Sequence, residues 1–453
     1  MHSLILCLIG LSISLGLTFE AKAAPVKAST YQSDLMQLYR EARLEDPRVI
    51  SAKAKAQAGE DREREAFGQL LPQVSATANF NRQTRDNSSS RDSYNTQRRA
   101  LTLTQHLYNK PVWEKYQGAQ NLAQQAEFEG EDVQAEAAVD LAKRYFAALA
   151  ADDDLDLVIA ERQANQKNLD RINALYARQL AMITDVLELQ ARVDELAANE
   201  VEARNQVRLA REALSEVIGR PVSEKLSRIK DEVALYTPDS SLDSWIEQAT
   251  TSNPALKSKN SALEAADAAL REGKGGHYPT LGLNLSVQRN DTGFDNTASS
   301  RSDSYVAALS IQVPIYSGGS TSARVRALHS DRLVAEQTRE SVRRQVIKET
   351  TSAYLSIQSS VDKVRAYHKA VESAQKSSIA AQKGFQFGVV NAVDVLSAVQ
   401  KEYEARRDLL KSHYDFITSL LALNRWAGKF SEQTMENVNV WLGNAEKQKV
   451  TKR

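Results

Sequence analysis

The stretches LLPQVSATANF (residues 70–80) and HYPTLGLNLSV (residues 277–287) decide the fold. In each, a proline closes a helical pattern and an alternation of period two begins. Val74, Ala76, Ala78 and Phe80 alternate with Ser75, Thr77, Asn79 and Asn81, and Leu281, Leu283, Leu285 and Val287 with Gly282, Asn284, Ser286 and Gln288. Such alternation marks strands with one apolar and one polar face. Each is followed by a second strand: Leu101, Leu103 and Leu107 against Thr102, Thr104 and His106, and Tyr305, Ala307, Leu309, Ile311 and Val313 against Val306, Ala308, Ser310 and Gln312. The polar segments Arg82 to Arg98 and Arg289 to Ser304 are predicted to be the connecting loops.

Pro72 and Pro279 stand 207 residues apart, as do Pro47 of Asp46-Pro47 and Pro254 of Asn253-Pro254. Tyr108 and Tyr316 are separated by 208 residues, and Tyr145 and Tyr354, Asp185 and Asp394, and Gly219 and Gly428 by 209. A nearly constant offset over the whole chain identifies a duplicated unit. In each copy a short helix (about 33–45 and 242–252) leads to the Pro break, and a second helix (about 47–70 and 254–273) leads to the strands.

Beyond the strands, residues 131–218, 320–383 and 389–427 contain neither Gly nor Pro. Gly and Pro together are 27 of 453 residues, near half of the roughly 12% of an average chain. Apolar positions keep helical spacing, as in Val346, Ala353, Ile357, Val361 and Val364. The reading predicts one helix of about 65 residues per unit, on the order of 100 Å long, and a shorter return helix. A helix of that length needs lateral partners, as in a coiled coil.

The resulting division is a signal peptide over 1–24 and a first unit over 25–221, with a β-hairpin at about 73–107, a long helix at about 111–177 and a return helix at about 184–218. A connector or equatorial segment follows over 222–240. The second unit covers 241–428, with its hairpin at about 280–313, long helix at about 319–387 and return helix at about 392–427. Residues 429–453 are read as a polar C-terminal tail, which together with the connector would form a modest belt around the bundle.

Composition narrows the function. The apolar run from Leu4 to Phe19 followed by AKAA at 21–24 reads as a cleavable secretory signal. The sole cysteine, Cys7, lies within it, so a processed chain would carry no thiol. Lys and Arg total 58, as do Asp and Glu, without a concentrated basic run, which sets nucleic acid aside as a partner. The six histidines are scattered and no nucleophile and base arrangement occurs, so neither a metal, another cofactor nor an enzymatic activity is expected. After residue 24 no apolar run reaches the ~20 residues of a membrane helix, so any later crossing must be by strands.

Four strands are too few to close a barrel, and an open edge is intolerable in lipid. Sister chains would complete it. A structural or adhesive coiled-coil surface protein without a pore is the alternative reading of the same pattern. Tyr108, Trp113, Tyr278 and Tyr316 cluster where strands meet helices and fit either an interfacial aromatic belt or ordinary junction packing.

LLPQV and YPTLG entering the strands, VPIYSGG leaving them, the turn FQFGVVNAVDVL and the terminal LNRWAG occur in the order and spacing of one family. The chain resembles the TolC family of outer-membrane efflux and type I secretion channels over essentially its whole length after the signal. The resemblance implies a mainly α fold with a transmembrane β-barrel portion: a homotrimer in which each chain gives four strands to a twelve-stranded barrel in the outer membrane. Twelve helices per trimer form a periplasmic tunnel. It also implies a passive exit duct that docks a periplasmic adaptor, or membrane fusion protein, and an inner-membrane pump of the ABC, RND or a similar class.

The predicted gate lies at the far end of the tunnel, where the long helices turn back at Gly384 and Gly388 in one unit and at Leu175 and Gln179 in the other. Asp185 and Asp394 follow these turns, so copies of each would ring a narrow mouth; an acid there also favours the helix dipole. The family's gate has a second acid where this chain has Ser397, and a Tyr and an Arg where it has Phe385 and Val390. These departures put the family's hydrogen-bonded lock in doubt. Arg178, in the first turn, and Glu188, at the repeat position of Ser397, are the replacements the sequence offers: Arg178 is predicted to pair with an acid across the mouth, and Asp394 to set cation preference.

Overall fold

The computed structural model describes residues 32–443, apart from 88–89, 231–234, 239 and 295–299. The expected signal peptide and the end of the expected tail lie outside the described residues. In chain order the elements are β1 (Gln32–Ser33), α1 (Leu35–Glu45), α2 (Pro47–Gly68), β2 (Gln73–Asn87), β3 (Ser90–Tyr108), α3 (Lys110–Tyr176) and α4 (Ile183–Ile218). They continue with β4 (Lys225–Leu226), β5 (Arg228–Ile229), α5 (Leu242–Ser252), α6 (Pro254–Gly275), β6 (Thr280–Phe294) and β7 (Ser300–Gln312). The chain then forms α7 (Ser320–Gln386), α8 (Ala392–Trp426), α9 (Glu432–Val440) and β8 (Leu442–Gly443).

The two long helices, α3 and α7, are 67 residues each, on the order of 100 Å at 1.5 Å per residue. Their starts are specified locally. Asn109 accepts a hydrogen bond from the Val112 amide at 3.3 Å with Pro111 in the first turn, whereas α7 starts from Gly319 in the left-handed region. Asp46 and Asn253 cap α2 and α6 in the same way, accepting from Arg48 N at 2.8 Å and Leu256 N at 3.0 Å. Asn253 also donates to the Trp426 carbonyl at 2.9 Å, so α6 begins where α8 ends and both lie along α7. In the first unit α2 and α4 likewise both pack on α3.

β2, β3, β6 and β7 form one antiparallel sheet in that order, with β3 and β6 joining the two units. The helices that feed it repeat the sequence of neighbours: α2 packs on α3, α3 on α6 and α6 on α7. Both layers therefore end in free edges on the same two sides, β2 with α2 and β7 with α7.

Two details of the strands differ from the sequence reading. The ladders continue through the segments read as loops, with β2 reaching Asn87 and β3 starting at Ser90. Pairing there is carried by backbone bonds and by polar cross-strand partners such as Arg289 and Asp303, so apolar alternation stops before the strand does. Also, β3 has a register shift between His106 and Tyr108, which aligns Tyr108, not Leu107, with Leu281. Gln105, opposite Leu283 and ahead of the shift, continues the face of Leu101 and Leu103 as a polar residue.

The middle of the bundle carries a belt. β1 pairs parallel with β4 and β5 antiparallel with β8, tying the N-terminal segment, the connector and the C-terminal segment together. The expected polar tail thus folds in part: α9 buries Met435 and Val438 against the bundle, and Leu442 of β8 is buried beside them. Beneath it lie Tyr145, Phe146, Leu214, Ile218, Phe416 and Leu420, the main core of the molecule. Tyr145 donates to the Ser227 carbonyl at 2.8 Å, and Tyr414 donates to Asp153, which also meets Arg228 at 3.3 Å. Burial raises the Asp153 carboxyl above its usual range despite the Tyr414 hydrogen bond and the Arg228 charge. Burial likewise pushes the Tyr145 and Tyr414 phenols far up.

Candidate functional site

The far end of the bundle is built from the two turns that reverse α3 into α4 and α7 into α8. Their backbones follow one path. Arg178 N donates to Leu175 O at 3.0 Å, Gln179 N to Tyr176 O at 2.8 Å and Leu180 N to Leu175 O at 2.9 Å. In the second turn Phe387 N donates to Gly384 O at 3.2 Å, Gly388 N to Phe385 O at 3.1 Å and Val389 N to Gly384 O at 2.9 Å. The left-handed residue is Gly388 in one (φ 73°) and Gln179 in the other (φ 61°). Gly384 is required for a different reason: a Cβ there would lie 2.6 Å from Val390 Cγ2.

The two acids after the turns have separate surroundings. Asp185 is half-buried, and its Oδ2 accepts from the Met182 amide at 3.3 Å, so it caps α4. Asp394 is exposed; its backbone amide donates to Asn391 Oδ1 at 2.8 Å, and among the described residues its carboxylate has no hydrogen-bond or ion-pair partner. Glu188, Ser397 and Arg178 are exposed, and among the described residues none of them forms an ion pair within its own chain. The structure thus gathers Arg178, Asp185, Glu188, Asp394 and Ser397 at one end of the molecule without joining Arg178 to any of the acids inside a protomer.

Phe385 does something the sequence reading missed. It is half-buried against a cluster formed by Leu169 and Ile172 of α3, Leu189 and Val193 of α4 and Ala392 of α8. Apolar packing, with no hydrogen bond from this side chain, ties the second turn to the first coiled coil. The signal was present as helically spaced apolar residues, but their convergence on Phe385 requires the two hairpins to lie side by side. Ala181 of the first turn, Val186 of α4 and Leu396 of α8 pack against the same cluster, whereas Gly384 and Val390 meet within the second turn.

At the opposite end the sheet exposes two unlike faces. Val74, Leu103, Leu285 and Ala307 form one cross-strand row, and Ala76, Leu101, Val287 and Tyr305 the next, while Ser75, Thr102, Ser286 and Val306 line the other side. Leu101, Leu285, Val287, Tyr305, Leu309 and Ile311 are exposed in the single chain. No helix among the described residues is long and apolar enough to cross a membrane. Tyr108, Trp113, Tyr278 and Tyr316 are exposed at the junction between this sheet and the helices.

A model of the family described as outer membrane efflux protein matches residues 38–220 and 245–429, the two repeat units in turn. The chain belongs to the outer membrane efflux protein family. Outer membrane protein TolC of Vibrio cholerae is 29% identical over 437 residues, covering 96% of this chain and 99% of that one. Alkaline protease secretion protein AprF of Pseudomonas aeruginosa is 27% identical over 435 residues, covering 93% and 89%. Among solved structures, the Campylobacter jejuni CmeC outer membrane channel superposes with a TM-score of 0.77 at 13% identity, over 96% of this chain and 97% of that one. As a TolC-family efflux protein the chain is an outer-membrane exit duct, and the duplicated layout, the four-stranded sheet and the long helices are the family's fold.

Proposed function

We propose that three copies of this chain close into one conduit, twelve strands forming the barrel in the outer membrane and twelve helices the periplasmic tunnel. The supporting observation is the shared edge order: β2 and α2 are free on one side, β7 and α7 on the other, so one rotation joins both layers of adjacent copies at once. A lipid-embedded sheet must have no open edge. The apolar rows then face lipid, and the Ser and Thr rows line the lumen.

The duct is passive. Transport energy comes from an inner-membrane pump joined through a periplasmic adaptor at the helical end. The names of AprF and of TolC place relatives of this chain in protease secretion and in the outer membrane, and the cargo proposed here is of the efflux and type I secretion class.

The gate is the ring of turns. Three Asp394 carboxylates narrow the mouth and give it cation preference, because an unneutralised carboxylate attracts cations and repels anions. Arg178 pairs with an acid of a neighbouring copy, Asp185, Glu188 or Asp394, which accounts for its having no ion pair among the described residues of its own chain. Phe385 holds the second hairpin against the first where the family has a hydrogen-bonding Tyr, and Val390 and Ser397 contribute no charge. Single-channel recording in planar bilayers tests this reading. Stepwise conductance is expected, with lost cation preference in Asp394→Ala and raised conductance in Arg178→Ala. A wild-type chain that remains a water-soluble monomer and never enters bilayers would overturn the duct; unchanged selectivity and conductance in the variants would overturn the gate.

A further inference from the structure

On the outward face of the sheet, the rows beyond Ala76–Leu101–Val287–Tyr305 change from apolar to charged. The next row is Ala78, Arg99, Arg289 and Asp303, and the one after it Phe80, Gln97, Asp291 and Arg301. Successive rows on one face are about 6.6 Å apart along a strand, so the charged groups begin one residue pair above the apolar surface. They lie on the side away from the long helices, which is the outer-leaflet side of the barrel.

Within these rows most charges are matched. Arg289 meets Asp303 through two bonds, at 2.7 and 3.0 Å, and Arg301 meets Asp291 at 2.9 Å. Arg99 is the exception: among the described residues its only side-chain partner is the neutral Gln97 at 3.2 Å, and it stands directly opposite Arg289 across the β3–β6 ladder. Like charges directly opposite each other destabilise a strand pair, more so beside lipid. Both guanidinium groups are exposed, and Arg289 uses two of its five N–H donors on Asp303. The spare donors of two adjacent arginines fit the oxygens of one phosphate.

We propose that Arg99 and Arg289 grip the phosphate of an outer-leaflet lipid whose acyl chains lie along Leu101, Val287 and Tyr305. This inference rests on the reading of the sheet as a barrel wall. The anion removes the repulsion between the two arginines, and the apolar rows immediately below account for a lipid as its carrier. Asp303 and Asp291 restrict the site, since they repel a phosphate placed further along the strands.

The test uses the full-length protein in an uncharged detergent, titrated with lipid A, an acylated glucosamine disaccharide carrying two phosphates, with its dephosphorylated form, and with inorganic phosphate. Bound molecules are counted by native mass spectrometry. Lipid A is expected to bind, with the other two probes about tenfold or more weaker. Arg99→Gln is expected to weaken lipid A about tenfold, and Arg98→Gln, on the lumen face, to leave it unchanged. Equal binding of the two lipids, full competition by inorganic phosphate, or an unaffected Arg99→Gln variant would overturn the site. The same preparation is applied to planar bilayers: a wild type that conducts but does not discriminate lipid A refutes only this inference, and one that never inserts refutes the barrel wall along with it.

Discussion

Tyr145 and Tyr354 occupy the same place in the two repeat units, yet Tyr145 is fully buried under the belt, donating to Ser227 O, and Tyr354 is only half-buried. Asp153 and Asp362 diverge further. The first sits in the core against Tyr414 and Arg228, whereas the second is 80% exposed beside Arg365. Duplication copied the helices but not their surroundings, because the belt strands come from outside the repeated landmarks and meet non-equivalent positions of the two copies, Tyr145 in the first and Phe416 in the second. At the turns the difference is compensatory. Leu175 and Ala181 in the first unit correspond to Gly384 and Val390 in the second, a large and small pair exchanged for a small and large one around one backbone path.

The largest test of that exchange is Gly384→Leu, expected to cost about 3 kcal/mol because the new side chain runs into Val390. Adding Val390→Ala writes the first unit's pair into the second and should recover most of the loss. Thermal unfolding of the purified protein in detergent reads both; equal losses in the single and double variants would show that the pairs are not interchangeable. Next is Tyr145→Phe, expected to cost about 2 kcal/mol by leaving the Ser227 carbonyl unpaired in the core, against a change within about 0.5 kcal/mol for Tyr354→Phe. Similar costs at the two tyrosines would erase the asymmetry assigned to the belt.

Smaller effects are expected from the left-handed positions. Gly388→Gln copies the first turn and should cost about 1 kcal/mol, since a side chain disfavours that conformation. Gln179→Gly, the reverse exchange on the same backbone path, is expected to gain a similar amount, because strain relief and the freer unfolded chain enter it with signs opposite to those at Gly388. Clearly unequal magnitudes at Gln179 and Gly388 would mean that the two turns are not equivalent around their left-handed residue.

The last test is a slope. The Asp153 pKa is raised on folding, so the folded state binds more protons than the unfolded one between the ordinary value of 3.8 and the raised one. Its contribution is fully present below 3.8 and is lost as pH rises through the folded pKa. Asp153→Asn should therefore improve relative to wild type as pH rises through that window. Parallel stability curves for Asp153→Asn and wild type would contradict the burial assigned to this carboxyl.

Much of the fold was legible because its signals are local. The period-two runs at Val74–Phe80 and Leu281–Val287 and the Gly- and Pro-free stretches need no knowledge of distant partners. Strand extent was not: the ladder past Arg82 and Arg289 has no apolar alternation to reveal it, and the shift near Leu107 is set by the partner strand. At the candidate gate, the positions of Asp185, Asp394, Arg178 and Glu188 follow from the repeat. That Asp185 caps its helix while the Asp394 carboxylate has no partner among the described residues does not.

The sequence by itself determined a duplicated chain of long helices and two-faced strands, because helical and strand periods are written in consecutive side chains. Only the tertiary structure decided the belt, the Phe385 joint and the directly opposed Arg99 and Arg289. Each brings together residues far apart in the chain, and the free energy that selects such contacts resides in packing, register and burial, which no local pattern encodes.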